Sequence, residues 1–259
     1  MTETAHLIYF SPTGTSRTVS ENIAKGLGAK EIIHYDLTLP ASNIEMILNE
    51  GVAIIGIPIY AGRVPELFLE RFKAMTSTGM QAVLVALYGN REFEDALVEL
   101  RDVVTAQGFA VIAGSAFIGE HSYSTAERPI AAGRPDRQDL EIATEFGRQI
   151  AAKIAQNTLE CPEIDGNVPY RERVKFGGIA PETDKGKCTL CGKCEAVCPT
   201  GVITVSDSVV TNADNCIMCC ACVRVCEFDA RHLIAPVIEE RRTMLIKNCS
   251  TPKMPKLFL

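Results

Sequence analysis

No apolar run in this 259-residue chain approaches the ~18 residues that suggest a membrane-crossing helix. The longest, Val52 to Tyr60, is interrupted by Gly56 and Pro58 and reads as a buried strand, so no membrane span is expected. The opening MTETAHLIYF lacks the basic stretch followed by an apolar one that marks a secretory leader. An excess of one charge is lacking as well. Lys and Arg number 26 against 32 Asp and Glu, a net charge of −6, too mild to call for nucleic acid or an anionic membrane as partner. Nucleotide loops are absent too: there is no GKS/T. Gly26-Leu27-Gly28 has no third glycine and follows an expected helix rather than a strand, the wrong context for a dinucleotide loop. The expected location is the cytoplasm.

Cysteine, by contrast, is abundant. In a reducing compartment eleven cysteines read as metal ligands rather than disulfides. Nine of the eleven lie between Cys188 and Cys226. They form Cys188-x2-Cys191-x2-Cys194-x3-Cys198 and Cys216-x2-Cys219-x2-Cys222-x3-Cys226, a repeat at a spacing of 28 residues. Such short spacings let three thiolates of one loop grip three irons of a cube, while the fourth reaches the other cube. Cluster one is thereby expected on Cys188, Cys191, Cys194 and Cys226, and cluster two on Cys216, Cys219, Cys222 and Cys198. Structural zinc needs four ligands, usually as two CxxC pairs, and would leave thiols over. Cys220 would break the spacing if it replaced Cys219, and reads as a small buried residue. Cys161 and Cys249 receive no role. The two runs resemble the bacterial two-cluster ferredoxins, with one departure. Pro199 follows Cys198, but Glu227 follows Cys226, where that family usually has a second proline. An ionised Glu227 is expected to disfavour the reduced form of cluster one.

The first part of the chain alternates short apolar runs with helical patterns. Strands are expected at Ala5–Phe10, Lys30–Tyr35, Val52–Ile59, Gln81–Tyr88 and Ala110–Ile118. Helices are expected from Thr15 to Gly26 or Gly28, around Ile44–Leu48, from Pro65, over Phe93–Gln107 and over Asp136–Asn157. This alternation predicts a five-stranded parallel sheet covered on both faces, in the flavodoxin-like order 2-1-3-4-5. The domains read as 1–157 for this α/β sheet domain, 158–185 for a linker, 186–235 for a small α+β cysteine module, and 236–259 for a tail whose apolar end docks on the body.

Three loops on one sheet edge point to a ligand. Ser11-Pro12-Thr13-Gly14-Thr15-Ser16 joins the first strand to the first helix. Hydroxyls around a helix N-terminus suit a phosphate dianion. The third strand ends in Tyr60-Ala61-Gly62-Arg63 and the fourth in Tyr88-Gly89-Asn90-Arg91. Each supplies a glycine for close backbone approach and an aromatic for a ring face. The first loop is similar to the FMN phosphate loop of flavodoxins. That resemblance implies FMN, held by Ser11, Thr13, Gly14, Thr15, Ser16, Tyr60, Ala61, Gly62, Arg63, Tyr88, Gly89, Asn90 and Arg91. Arg63 and Arg91 are expected near the flavin, favouring its anionic reduced form. His121, in the long loop after the fifth strand, is the candidate catalytic residue.

Together these segments resemble a fusion of a flavodoxin-like FMN domain with a two-cluster ferredoxin domain, a family of anaerobic bacteria and archaea. The resemblance implies electron transfer joining one-electron clusters to a two-electron flavin. Three functions fit: an oxidoreductase reducing a small acceptor, a pure electron carrier docking redox partner proteins, and a redox sensor with an empty flavin site. The crossover of fourth ligands is directly testable. Cys198→Ser is expected to damage the cluster held by Cys216, Cys219 and Cys222. Spectroscopic loss of the cluster held by Cys188, Cys191 and Cys194 instead would contradict it.

Overall fold

The structure, a computed structural model, describes residues 3–40, 45–175 and 177–259. Strands β1 (Thr4–Tyr9), β2 (Glu31–Asp36), β3 (Val52–Pro58), β4 (Gln81–Tyr88) and β5 (Ala110–Ile118) pair in parallel in the order β2-β1-β3-β4-β5. Strands β1, β3 and β4 are apolar along both faces because helices cover both. Successive residues therefore enter opposite cores. Leu7, Ile54 and Val83 pack with Val19 and Ile23 of α1 (Thr15–Leu27) and Phe146 of α4 (Arg137–Ala155). Ile8, Ile55 and Leu84 pack with Phe68 and Phe72 of α2 (Glu66–Phe72) and with Leu97 and Leu100 of α3 (Ala96–Ala106). Helices α1 and α4 meet at Gly26 and Gly147. A Cβ on Gly147 would lie 2.1 Å from the Ile23 carbonyl oxygen, so only glycine permits this approach.

Three departures from the sequence expectation have physical causes. The expected helix around Ile44–Leu48 is not formed over its described part, and Ile44 lies outside the described residues. Met46–Ile47 is extended and pairs in parallel with Met75–Thr76, and Leu48 is buried in the core. The tail contains a helix, α7 (Pro236–Asn248), and a sixth strand. The sheet is six-stranded rather than five-stranded, because the last strand (Lys256–Phe258) runs antiparallel on the edge of β5. Segment 158–185, expected to wrap or space the two domains, packs on the sheet domain over part of its length. Ile164 is buried in the core, and the Asp95 carboxylate accepts the N–H groups of Asn167 (2.8 Å) and Arg171 (2.7 Å). Its end belongs to the cysteine module, since Glu182–Thr183 pairs antiparallel with Arg231–His232.

Within that module α5 (Lys193–Ala196) follows the second cysteine of the first run, and α6 (Ala221–Arg224) carries Cys222. The antiparallel hairpin of β6 (Ile203–Val205) and β7 (Val209–Thr211) lies between them, which makes the C-terminal edge strand β8. Among the described residues no helix is long and apolar enough to cross a membrane. The module is fixed to the sheet domain by Arg71. Its buried guanidinium donates to Leu37 O (2.8 Å) and Thr38 O (2.6 Å) on one side and to Pro199 O (2.7 Å), next to Cys198, on the other.

Candidate cofactor sites

A cavity of about 360 Å³ opens at the C-terminal ends of the parallel strands, where ligands of such sheets bind. The loop after β1 lines it with Ser11, Pro12, Thr13, Thr15 and Ser16. Gly14 takes a left-handed turn (φ 81°) that sets the start of α1. Ser11 is fixed twice: its N–H donates to Thr38 Oγ1 (2.9 Å) and its Oγ accepts from Arg17 N–H (3.1 Å). Ser16 Oγ is buried with no hydrogen-bond partner. An orphaned buried hydroxyl is costly. Together with the free N–H groups of a helix start, it suits a phosphate at this loop.

The other loops complete the walls. Tyr60, Ala61, Tyr88, Gly89 and Arg91 all line the cavity. Burial pushes the Tyr88 hydroxyl up to about 12, with Glu92 adding to it. Burial, then the Cys219, Cys220 and Cys216 sulfurs, raises Tyr60 well above its ordinary value. A Cβ on Gly89 would meet the His121 ring at 2.3 Å, so the glycine gives that ring its place. His121 lines the cavity, and its Nδ1 accepts from Tyr123 N–H (3.0 Å), which leaves the proton of the neutral ring on Nε2. Surrounding protein lowers the His121 pKa to about 4, with the Arg91 and Arg242 cations adding to the effect.

Gly62, Asn90 and Arg63 do not line the cavity. Gly62 (φ 78°) gives its side-chain space to the Glu94 carboxylate. Asn90 anchors the tail, donating to Cys249 O (2.6 Å) and Thr251 O (3.0 Å). Arg63 pairs with the buried Glu99 carboxylate (2.8 and 2.9 Å), a partner 36 residues away that the local sequence does not reveal. Arg91 does reach the cavity, but Glu94 binds it through both oxygens (2.9 and 2.7 Å). Each of these carboxylates is shared with a second arginine, Glu99 with Arg173 and Glu94 with Arg171. Arg241 of α7 also lines the cavity, beside Tyr123, with no ion pair to a carboxylate among the described residues. The sequence signal for it was the doubled Arg241-Arg242 in the tail.

The far wall comes from the cysteine module and α7: Ile217, Met218, Cys219, Met244 and Leu245. The eight cysteines sort into two groups. Cys188, Cys191, Cys194 and Cys226 line one small cavity with Leu190, Phe228 and Arg231. Cys198, Cys216 and Cys222 crowd Cys219, whose thiol is pushed up to about 12 by burial first and by these neighbours after it. The two loops repeat in backbone as well as in sequence. Leu190 and Met218 (φ 56° and 52°), and Gly192 and Cys220 (φ 76° and 60°), take left-handed conformations at equivalent positions. Cys220 thus stands where the first loop has glycine. Strain of this kind persists where the surroundings enforce it, commonly at ligand clamps. Donors already face the sulfurs: Met218 N–H to Cys216 Sγ (3.5 Å) and Ala230 N–H to Cys226 Sγ (3.3 Å). Among the described residues no three His, Cys, Asp or Glu side chains converge as a single ion would require; the thiols of the first group line one small cavity. Glu227 is exposed and paired with Lys193 (2.6 Å), so the charge effect expected of it on cluster one is offset and screened.

Sulfur-ringed sites beside a ligand cavity on a flavodoxin-like sheet define an iron-sulfur electron-transfer protein. Through its cysteine module the chain belongs to the 4Fe-4S ferredoxins. The 4Fe-4S binding domain family matches residues 181–204. The ferredoxin-like protein in the vnf region of Azotobacter chroococcum mcd 1 is 39% identical over 57 residues, 20% of this chain and 88% of that protein. Ferredoxin-1 of Rhodobacter capsulatus is 48% identical over 42 residues, 16% of this chain and 65% of that protein. Among solved structures, the Fusobacterium nucleatum flavodoxin bound to flavin mononucleotide is 16% identical with a TM-score of 0.40, covering 60% of this chain and 98% of that one. A flavodoxin from the domain Archaea is 14% identical with a TM-score of 0.37, covering 59% and 99%. The strand order, not these scores, makes the N-terminal domain flavodoxin-like.

The His121 pKa gives a pH prediction. Its folded value of about 4 lies below the ordinary 6.5, so the unfolded chain takes up the proton first. This contribution to stability is complete above 6.5 and is lost as pH falls toward 4. It amounts to no more than about 3 kcal/mol. His121→Gln is expected to flatten the fall in unfolding free energy across that window; equal slopes for the two proteins would contradict it.

Proposed function

We propose that the chain passes electrons between two 4Fe-4S clusters and FMN, coupling one-electron to two-electron redox chemistry. One observation carries this reading: Cys219, assigned to cluster two, lines the same cavity as Ser11, Thr13, Thr15, Ser16, Tyr60 and Tyr88. FMN supplies a centre that accepts one or two electrons, whereas a cluster passes one at a time. The hydroxyls of Ser11, Thr13, Thr15 and Ser16 hold the phosphate at the start of α1, and Tyr60 and Tyr88 flank the ring. Arg241 faces the ring with positive charge. Ile217, Met244 and Leu245 exclude water from the side away from the sheet, which strengthens that interaction.

This arrangement sets a sequence of sites. Cluster one stands outermost: Cys191 is exposed, and Leu190 and Phe228 beside it are 43% and 48% exposed. Cluster two lies between it and the flavin. Redox partner proteins exchange electrons at cluster one, while α7 keeps them from the flavin. The alternative, an oxidoreductase in which FMN reduces a small acceptor, requires that acceptor to enter beside His121 and Arg241. Turnover with small acceptors separates it from the carrier.

Anaerobically purified protein is expected to hold about eight irons, about eight sulfides and one FMN. In the same preparation, Thr13→Ala combined with Ser16→Ala is expected to weaken FMN binding at least about tenfold more than riboflavin binding, by loss of hydroxyls that serve only the phosphate. Equal losses for both ligands would remove the phosphate-loop assignment, and a flavin-free protein that binds no added FMN would remove the flavin.

A further inference from the structure

Arg231 follows the second cysteine run and lies between the two groups of thiols. Its side chain is buried, at 3% exposure. Nη1 donates to Thr183 Oγ1 (2.6 Å), and Nη2 donates to Thr211 Oγ1 (3.0 Å) and to Cys222 Sγ (3.7 Å). Its Nε is buried with no partner. The same side chain lines the cavity ringed by Cys188, Cys191, Cys194 and Cys226. Among the described residues no carboxylate pairs with it; the nearby acids Asp229 and Glu227 pair with Lys187 and Lys193 at the surface.

A desolvated guanidinium is normally paired with a counter-charge. Here its neighbours are hydroxyls and sulfurs. The missing negative charge appears when the cysteines are ligands: four thiolates around four irons and four sulfides carry a net negative charge, which grows by one electron on reduction. We propose that Arg231 is a counter-cation shared by both clusters, holding both reduction potentials up and easing the second electron onto the module after the first. A fixed cation stabilises the more negative, reduced state more than the oxidised one. Burial keeps the interaction unscreened, so one residue between two clusters acts on both. Arginine suits the position because its charge cannot be lost and its fork reaches Thr183, Thr211 and Cys222 at once.

The inference rests on the two-cluster reading, and its test keeps the two apart. Iron and sulfide are counted on each protein, and both clusters are titrated by EPR-monitored reduction. Arg231→Gln is expected to lower the equilibrium constant for reducing each cluster about tenfold, a shift of about 59 mV to more negative potential for a one-electron step. Arg231→Lys, which keeps the charge, is expected to shift each by clearly less. Unchanged potentials in an iron-replete Gln variant overturn the proposal, as does a shift of one cluster alone or an equal shift in the Lys variant. Should the Gln variant lose iron, pulsed EPR of wild-type protein carrying 15N-guanidinium arginine decides instead. Coupling to both reduced clusters that disappears in Arg231→Lys supports the shared role, and its absence from either cluster overturns it. A wild-type iron count of a single cube would be a failure of the two-cluster reading itself.

Discussion

The loop from Cys216 to Cys222 carries two constraints at once. Its left-handed residues Met218 and Cys220 curl the backbone so that thiols gather around a common space. The same curl lays Ile217, Met218 and Cys219 against the strand-end cavity. Neither wall is free to move. Arg71 ties Pro199, and with it the Cys198 turn, to the loop after β2 through three buried hydrogen bonds. Burial disfavours the charged form of Arg71, so these carbonyl contacts are what make the position tenable. A cation committed in this way acts as a strut between the ferredoxin module and the sheet.

The tail builds the same wall of the cavity as the Cys216–Cys222 loop. The α7 helix places Met244 and Leu245 over it, and Arg242 fixes the helix by donating to Tyr123 O (2.7 Å) in the loop after β5. Beyond the helix, Asn90 and β8 bind the chain to the strand-end loop and the sheet edge. An isolated sheet of this order leaves its ligand edge open. Here the second domain and the tail close it, so the chain controls what reaches that edge through elements far from it in sequence.

What was legible in the sequence follows from the range of the interactions involved. Strands β1, β3, β4 and β5 announce themselves as runs of mostly apolar residues, a local property, and β2 by the shorter apolar run Ile32–Ile33 between two helical or turn segments. The cysteine repeat is likewise local, and the left-handed pairs Leu190–Gly192 and Met218–Cys220 repeat its backbone. The phosphate loop could be read because Ser and Thr crowd one helix start. The fate of Arg63 could not, because Glu99 lies one helix away in space and 36 residues away in sequence. The edge strand Lys256–Phe258 is too short to show an alternation and forms by pairing with β5. In the segment expected to be a helix around Ile44–Leu48, apolar enough for a helix turn, Met46–Ile47 is drawn into extended pairing with Met75–Thr76.

Electron transfer between the modules depends on cluster two and the flavin sharing a wall, with Cys219 and Tyr60 between them. Diffraction from anaerobically grown crystals at the iron absorption edge tests that placement most directly. The predicted result is two cubes, one ligated by Cys198, Cys216, Cys219 and Cys222 against the cavity, with flavin density between Tyr60 and Tyr88 and its phosphate at Ser16. Flavin bound elsewhere, or a cavity facing no iron, would contradict it.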